Sequence, residues 1–287
     1  MNLWISDDVV KLWKHDHKGP KSRGGQRQYS SVAVEMCLTL GKVYHLPLRQ
    51  TEGFVASIFS RSGIAVVVPD YSTLCRRSNG LKVSLRSTSP DRITDIVVDS
   101  TGLKVYGEGE WKVRRYGAGK HRTWMKLHIA ADGLSQQIEA VMLTTNAVDD
   151  AAGAEGLMEQ IDKPVSRFVG DGGYDKDKVR KLLHRRKIRQ VIPPQHNAVV
   201  DKKKRGFRKE RDLAISMIST KGKKRWKKRK NYHQRSKAET VMFRYKTIIG
   251  DSVQARKFEH QQTEVAIGCK ILNIMLQTVK PESVKIA

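Results

Sequence analysis

The chain has 287 residues, enough for one or two domains with sizeable cores. It carries 55 lysine and arginine residues against 29 aspartate and glutamate residues, and the net charge of +26 predicts an anionic partner, either nucleic acid or a membrane surface. No apolar run reaches the roughly 20 residues that span a bilayer, and the start of the chain has no basic region followed by an apolar one. We therefore expect DNA as the partner and no contact with a membrane.

The cysteine content favours a reducing compartment. Cys37, Cys75 and Cys269 are few, odd in number and far apart, and no pair has the spacing of a zinc site or a disulfide framework. We predict buried thiols in a cytoplasmic protein that associates with the nucleoid through its DNA partner.

The first 80 residues divide into a basic arm, residues 1–28, and a helical segment, residues 29–80. Ser30 can cap a first helix with apolar positions at helical spacing, a second helix is predicted over Leu48–Ser60, and Asp70 opens a short third helix. Helix, turn and basic helix is the pattern of a helix-turn-helix DNA-binding domain. The alternative is a small helical bundle with basic ends.

The third predicted helix ends in two arginines. In the DNA-binding interpretation, Arg76 and Arg77 contact phosphates or guanine. Residues 81–92, which follow Asn-Gly and contain Ser-Pro, have linker composition and separate the helical segment from a second domain, residues 93–287.

The second domain opens with a strand that carries a candidate catalytic carboxylate. Ile93–Thr101 is almost unbroken in apolar character after Asp95, as expected for a strand covered on both faces. Asp99 lies near its carboxyl end, where open sheets place ligands. Asp95 shares the same strand face and is the competing candidate.

A glycine-rich basic segment follows over Val105–Arg122. Its arginines and lysines are interleaved with aromatic residues, which suits a DNA-contacting hairpin or loop. Its glycine pairs complete neither a dinucleotide fingerprint nor a phosphate-binding loop. The residues predicted to contact DNA here are Arg114, Arg115 and Lys120.

The next elements predict a ribonuclease H-like fold. Asp132-Gly133 is a hairpin signal between two apolar runs, so three antiparallel strands come first. A helix, the strand Val165–Gly170, a second helix and a further strand follow. Three strands and then alternating helix and strand is the ribonuclease H-like order, a mixed α/β sheet with helices on both sides. Asp171 ends the fourth strand and is expected beside Asp99.

A strongly basic insertion, residues 200–230, comes after the predicted sheet. Fifteen of the thirty positions from Asp201 to Lys230 are lysine or arginine. Such runs are usually solvated, but this one leads directly into the segment Tyr232–Lys246. We therefore expect it to follow the DNA backbone beside the active site.

The segment Tyr232–Lys246 contains no glycine or proline and is predicted to be helical. At about 100° per residue, Tyr232, Arg235 and Lys246 share one narrow face with Glu239. An ordinary surface helix also carries such glutamate and lysine pairs. Together with the two strand-ending aspartates, however, Glu239 suggests a three-carboxylate metal site.

This segment resembles the signature of the DDE transposases of bacterial insertion sequences, and within them the insertion-sequence-five-like group. The signature is Tyr, two residues, Arg, three residues, Glu, six residues and Lys. Four residues match every one of these spacings, Tyr232, Arg235, Glu239 and Lys246. The resemblance extends from about Trp4 to Val279 and places Asp99 and Asp171 as the first two carboxylates.

The resemblance implies an enzyme that binds transposon ends, cuts them and joins them to target DNA. Asp99, Asp171 and Glu239 would hold two Mg²⁺ or Mn²⁺ ions, because carboxylates are natural ligands of these cations and two ions can stabilise both the attacking and the leaving oxygen. The residues that would position the phosphates are Tyr232, Arg235 and Lys246. The expected partners are double-stranded DNA and further copies of the chain, in a homodimer or a higher synaptic complex.

Two other interpretations of the same residues stay open at this point. In one, Tyr232 is the covalent nucleophile of a tyrosine-type recombinase and Arg235 clamps the phosphate. In the other, the chain is a non-catalytic DNA-binding regulator whose carboxylates are structural.

Overall fold

A computed structural model of the chain describes residues 10–15, 24, 26–85, 87–88, 90–105, 124–203 and 205–278. These residues form two compact units. The first runs to Ser84 and includes Ala255–Ile271, and the second comprises Leu85–Gln254 and the chain from Leu272 onward. Most of the predicted arm lies outside the described residues, as do three predicted DNA contacts, Arg114, Arg115 and Lys120.

The helical unit begins with three helices, α1 (Ser31–Val43), α2 (Leu48–Arg61) and α3 (Tyr71–Ser78). Ser30 and Asp70 cap α1 and α3 as predicted, because their side-chain oxygens accept backbone amides at 3.1 Å and 2.8 Å. Each cap satisfies an amide that the first turn of a helix leaves without a partner. Apolar side chains from all three helices meet in the core, among them the fully buried Val34, Phe59 and Leu74.

The three cysteines do not share one environment. Cys37 and Cys269 are buried, and burial raises the pKa of the Cys37 thiol to about 12. Cys75 is exposed, so the prediction of a buried thiol is wrong there. The reason is that α3 turns Leu74, its neighbour, into the core.

The second unit is built on a mixed sheet with six strands among the described residues. Its strands are β1 (Ile93–Val105), β2 (Trp124–Asp132), β3 (Ile138–Thr145), β4 (Val165–Val169), β5 (Arg189–Val191) and β6 (Ser252–Val253). The order along the sheet is β3-β2-β1-β4-β5, with β6 beside the end of β1. The β3-β2-β1 pairs are antiparallel and the β1-β4-β5 pairs are parallel. This is the ribonuclease H-like arrangement, so the predicted fold is confirmed.

The remaining helices are α4 (Asp150–Glu159), α5 (Asp177–Arg185), α6 (Lys209–Arg229), α7 (Ser236–Arg244) and α8 (Phe258–Thr278). Apolar residues of α4 and α5 cover the sheet face to which Ile96 and Val98 of β1 point. Successive strand side chains point to opposite faces, so Val97 and Asp99 face the other way. Helix α7 packs against β1 and β2. None of the described helices is long and apolar enough to cross a membrane.

Strand β1 is longer than the sequence predicts. It continues past Thr101 to Val105, because its second half pairs with β2 as far as Lys104 and also with β6. Strand β4, by contrast, pairs with β1 only as far as Val97. Asp99 therefore lies in the middle of its own strand, just beyond the point where the neighbouring parallel strand stops.

The basic insertion folds largely into α6. This helix is interrupted at Gly222, whose φ of +79° is a left-handed conformation that glycine adopts without strain. Lys223, Lys224 and Arg225 after the interruption are exposed, whereas Trp226 is buried. Trp226 therefore anchors this part of the insertion, while the charges next to it stay in solvent.

Candidate active site

Asp99 and Asp171 lie at matching positions on neighbouring parallel strands. Val97 of β1 pairs with Val169 of β4, and each aspartate follows its valine by two residues. Asp171 lies beyond the end of β4 but keeps an extended backbone, with φ −81° and ψ −175°. Residues two apart on an extended chain point to the same face, so the register of the two strands brings the carboxylates together.

The turn after Asp171 fixes the direction of its side chain. The Asp171 carboxylate accepts the Gly173 amide at 2.8 Å at the start of a single 3₁₀ turn, Gly172–Tyr174. An added Cβ at Gly173 would lie 3.0 Å from Asp171 Oδ1. Glycine therefore leaves the space into which the carboxylate folds back.

The segment that carries Glu239 is helical from Tyr232 to Ile249, but it is not one uniform α-helix. Tyr232–Arg235 forms a 3₁₀ turn, α7 follows, and Tyr245–Ile249 forms a π-helical turn. A constant 100° per residue therefore applies only within α7. Glu239 lies in the first turn of α7 with 55% of its side chain exposed.

Arg235 links the helix to the sheet. Its Nη1 lies 3.4 Å from Asp99 Oδ2, and its Nη2 forms an ion pair with Glu239 Oε1. One guanidinium thus contacts a carboxylate from β1 and the carboxylate from α7. The side chains of Arg235 and Asp99 are about three-quarters and four-fifths buried, since 23% and 20% of them are exposed.

The electrostatic environment disfavours the charged form of Asp99. Burial is the main cause of the raised pKa of this carboxyl, and the nearby charges of Asp171 and Glu239 raise it further. The amide of Ser100 and the charge of Arg235 act in the opposite direction. A cation at this position would therefore stabilise the carboxylate.

The three predicted carboxylates do not form a closed metal site in this conformation. Among the described residues, no group of three His, Cys, Asp or Glu is arranged to hold a metal ion. The Glu239 carboxylate is instead paired with Arg235. Asp99 and Asp171 are thus placed side by side by the strands, whereas Glu239 is paired with the Arg235 guanidinium.

Asp95, the competing candidate, has a structural partner. It is buried and forms a bidentate ion pair with Arg167 of β4. A buried carboxylate that is fully engaged in this way is unavailable to a ligand. The structure therefore separates Asp95 from Asp99, although both point to the same face of β1.

Tyr232 is partly buried beside the basic helix. Its ring lies 5.4 Å from that of Trp226, and Lys227 Nζ lies 5.6 Å from its centre. Burial is the main cause of the raised pKa of the Tyr232 phenol, and the site carboxylates add to this against the charge of Arg235. These surroundings therefore disfavour the phenolate form of Tyr232.

The other predicted DNA contacts differ in their surroundings. Lys246 is exposed in the π-helical turn. Arg76 is exposed on α3, with one hydrogen bond of 3.2 Å to Thr73. Arg77 is partly buried and donates to the Tyr29 carbonyl oxygen at 2.9 Å, so it stabilises the helical unit whether or not it meets DNA.

Sequence reasoning missed Asp150, which contacts Ser100, the residue that follows Asp99 on β1. It is the first residue of α4, and its Oδ1 accepts the Ser100 hydroxyl at 2.6 Å. A carboxylate at the start of a helix is common, so the local sequence gives no signal of this contact. Only the packing of α4 on the sheet shows it.

A ribonuclease H-like sheet with two aspartates on neighbouring strands and a glutamate on a later helix defines a class of enzymes that cut or transfer nucleic-acid strands. The family model described as Transposase DDE domain matches residues 90–274, and a second model with the same description matches residues 1–108. The chain belongs to the DDE transposase family. It is a DDE-type DNA transposase, which cleaves and transfers DNA strands and depends on divalent metal ions. This class takes the place of the two alternatives, while the insertion-sequence-five-like subgroup stays a prediction.

Two solved transposase structures are similar to the chain at low identity. The cryo-EM structure of a piggyBac transposase synaptic complex with hairpin DNA shares 13% identity, with 94% of this chain and 70% of that chain covered and a TM-score of 0.45. The Drosophila P element transposase strand transfer complex shares 8% identity, with 89% and 81% covered and a TM-score of 0.32. Neither likeness assigns a role to a residue of this chain.

Proposed function

We propose that Asp99, Asp171 and Glu239 are the catalytic carboxylates of this transposase and that they hold two Mg²⁺ or Mn²⁺ ions. The observation that carries the proposal is the matched placement of Asp99 and Asp171 two residues beyond the Val97–Val169 pair. Arg235 connects this pair to Glu239.

The donor set fits hard divalent cations. Carboxylate oxygens are the ligands that Mg²⁺ and Mn²⁺ prefer, and the raised pKa of Asp99 reflects burial and like charges that a cation would offset. Bound ions would supply the charge stabilisation that the attacking and leaving oxygens of a phosphodiester require. Glu239 can join the two aspartates by leaving Arg235, because more than half of its side chain is exposed.

The residues around the carboxylates are suited to a DNA backbone. Released from Glu239, the Arg235 guanidinium can bind a phosphate in a bidentate manner, and Tyr232 and Lys246 would add a hydroxyl and a positive charge. The exposed lysines and arginines of α6 extend this basic surface. Base or phosphate contacts by the helical unit would come from Arg76 and Arg77, and contacts by the glycine-rich segment from Arg114, Arg115 and Lys120.

The proposed substrates are double-stranded transposon ends and target DNA. Joining two ends to one target requires the ends to be held together, so we propose a homodimer or a higher synaptic complex. The net charge of +26 makes binding to DNA dependent on salt, because each neutralised phosphate releases counterions.

The assignment is tested with Asp99→Asn, Asp171→Asn and Glu239→Gln, which keep side-chain size and remove charge. Supercoiled plasmid is incubated with each variant in Mg²⁺ or Mn²⁺, and the conversion to nicked, linear and joined products is followed. Each variant should be slower by about 10³-fold, the effect of losing several kcal/mol of charge stabilisation at 1.36 kcal/mol per tenfold. Gel-shift affinity for the same DNA should change little.

Asp162→Asn is the matched control, because Asp162 is an exposed aspartate of the same unit, and it should leave the rate unchanged. Tyr232→Phe tests the recombinase alternative. Neither this variant nor the wild-type chain should form a covalent protein–DNA adduct, and the variant should still nick, at a rate lowered only by the loss of one hydroxyl contact. Nicking that survives in all three amide variants would contradict the proposed site.

A further inference from the structure

The sheet face opposite Asp99 carries a carboxylate for which the proposed site has no role. Asp150 Oδ1 accepts the Ser100 hydroxyl at 2.6 Å. Ser100 follows Asp99 on β1, and its side chain therefore points to the opposite face. The Ser100 amide in turn donates to Asp99 Oδ1 at 2.9 Å. Asp150 thus accepts a hydrogen bond from Ser100, and the backbone amide of Ser100 donates to the Asp99 carboxylate.

The second oxygen of Asp150 faces the turn that carries Asp171. A Cβ added to Gly173 would lie 3.5 Å from Asp150 Oδ2 and 3.0 Å from Asp171 Oδ1. The two carboxylates therefore flank the same glycine. Asp150 is in this way adjacent both to the Asp99 strand and to the Asp171 turn.

Residues of β2 fix the position of Asp150. Lys126 Nζ lies 3.5 Å from Asp150 Oδ1 and also donates to the Val148 carbonyl oxygen at 2.9 Å. His128, which pairs with Ser100 across the strands, is fully buried with Nδ1 4.0 Å from the same Asp150 oxygen. Burial lowers the pKa of His128 to about 4, so Lys126 supplies the positive charge near pH 7.

The start of α4 lies unusually close to this group. A Cβ added to Gly153 would come within 2.4 Å of His128 Nδ1, a distance that side chains do not tolerate. Glycine at this position lets the first turn of α4 rest directly on His128. The same close approach delivers the Asp150 carboxylate to Ser100.

We propose that Asp150 is a positioning residue of the active site, which sets the separation of Asp99 and Asp171 through Ser100 and the Gly173 turn. It touches neither DNA nor the reacting atoms. The inference rests on the proposed catalytic role of the two aspartates. Loss of the Asp150 carboxylate should lower both the nicking rate and the metal affinity, because a shift of about 1 Å in a reacting group costs about 10²-fold in rate.

The test compares Asp150→Ala with Asp149→Ala. Both remove one carboxylate from the start of α4, but Asp149 is the N-cap, whose carboxylate accepts the Ala152 amide of its own helix at 2.8 Å. Asp150→Ala should lower the plasmid-nicking rate by about 10-fold to 100-fold and weaken Mn²⁺ binding to a similar degree. Mn²⁺ binding is measured on the protein without DNA, by electron paramagnetic resonance of the free ion. Asp149→Ala should lower the melting temperature and leave both quantities within about twofold of the wild type.

Two further variants separate positioning from packing. Asp150→Asn keeps an oxygen that accepts the Ser100 hydroxyl, so it should restore most of the lost rate. If Asp150 acts through Ser100, the double variant Ser100→Ala with Asp150→Ala should be no slower than the slower single variant, because residues in one hydrogen-bond chain are not additive.

Equal rates for Asp150→Ala and Asp149→Ala would overturn the proposal, as would additive effects of Ser100→Ala and Asp150→Ala. An Asn variant as slow as the Ala variant would also overturn it. Failure of the proposed function gives a different result, since Asp99→Asn would then nick normally. In that case the Asp150 variants would also nick at the wild-type rate.

Discussion

The two strand carboxylates and the helix carboxylate are held in different ways. Asp99 and Asp171 are fixed by the backbone: strand register places both, and the amides of Ser100 and Gly173 donate to their oxygens. Glu239 is mostly exposed, and its described partner is the Arg235 side chain. The strand part of the proposed site is therefore preorganised, whereas its helix part depends on a side-chain contact that can be exchanged.

This difference indicates where the enzyme can respond to its ligands. Backbone hydrogen bonds on a covered sheet are costly to disturb, but an exposed ion pair contributes only about 0–1 kcal/mol. Binding of DNA or metal can therefore reorient Glu239 and Arg235 without disturbing the sheet. Variants on the two sides should accordingly differ in the size of their effects.

The largest expected effect comes from the strand side. Gly173→Ala adds a Cβ 3.0 Å from Asp171 Oδ1, so the carboxylate must move. The shift needed is a few tenths of an ångström, and because a shift of about 1 Å costs about 10²-fold in rate, plasmid nicking should slow by about tenfold or more. Gly172→Ala is the matched control, because its nearest contact would be an ordinary 3.8 Å to the Pro193 carbonyl oxygen. Equal activity of the two variants would show that Asp171 is not held in the way the turn suggests.

An intermediate effect is expected from the helix side. Arg235→Lys keeps the positive charge but loses the planar group with which the guanidinium, once released from Glu239, would bind a phosphate in a bidentate manner. Loss of a hydrogen bond to a charged partner should slow nicking by about tenfold, with DNA affinity changed less. Arg244→Lys on the same helix is the control and should be nearly silent. An Arg235→Lys variant with the wild-type rate would remove Arg235 from the site.

The smallest effect is on stability and distinguishes the buried from the exposed carboxylate. The pKa of Asp99 is raised in the folded chain, so ionisation of this group costs stability as pH rises above its unfolded value of about 3.9. In EDTA at pH 7, Asp99→Asn should raise the melting temperature by at most about 2–4 °C, the shift that 1 kcal/mol produces in a unit of this size. Glu239→Gln should leave the melting temperature unchanged under the same conditions.

The pH dependence provides the check on this last prediction. The gain from Asp99→Asn should disappear on acidification below about pH 4, where the wild-type carboxyl is protonated in both states. Thermal unfolding measured at pH 3.5 and pH 7 tests it. A gain that is the same at both pH values would mean that ionisation of Asp99 is not the cause.

Local pattern was sufficient to predict most elements of the fold and to select the candidate carboxylates, whose role stays a prediction. The Asp132-Gly133 hairpin, the strands on either side of it and the carboxylates Asp99 and Asp171 follow from runs of apolar residues and the positions at which they end. The fixed spacing from Tyr232 to Lys246 identified the helix with Glu239. These features depend on neighbours in sequence, which is why they could be read from it.

Contacts between distant segments could not be predicted. Asp95 and Asp99 are equivalent by strand periodicity, and only the parallel pairing of β1 with β4 shows that Arg167 engages Asp95. Asp150 is an unremarkable helix start until α4 packs onto Ser100. The exposed Cys75 and the Arg77 contact with Tyr29 likewise depend on which helix face meets the core.

The C-terminal helix α8 bears on the order in which the chain can fold. Residues Ala255–Ile271 belong to the helical unit, where Glu264 pairs with Lys42 at 2.7 Å and His260 lies 2.6 Å from the Ser78 hydroxyl. These partners are synthesised after the entire sheet, although the unit they complete begins the chain. During translation, the first three helices therefore leave the ribosome before α8, and the contacts of Lys42 and Ser78 with Glu264 and His260 form only after α8 has been made.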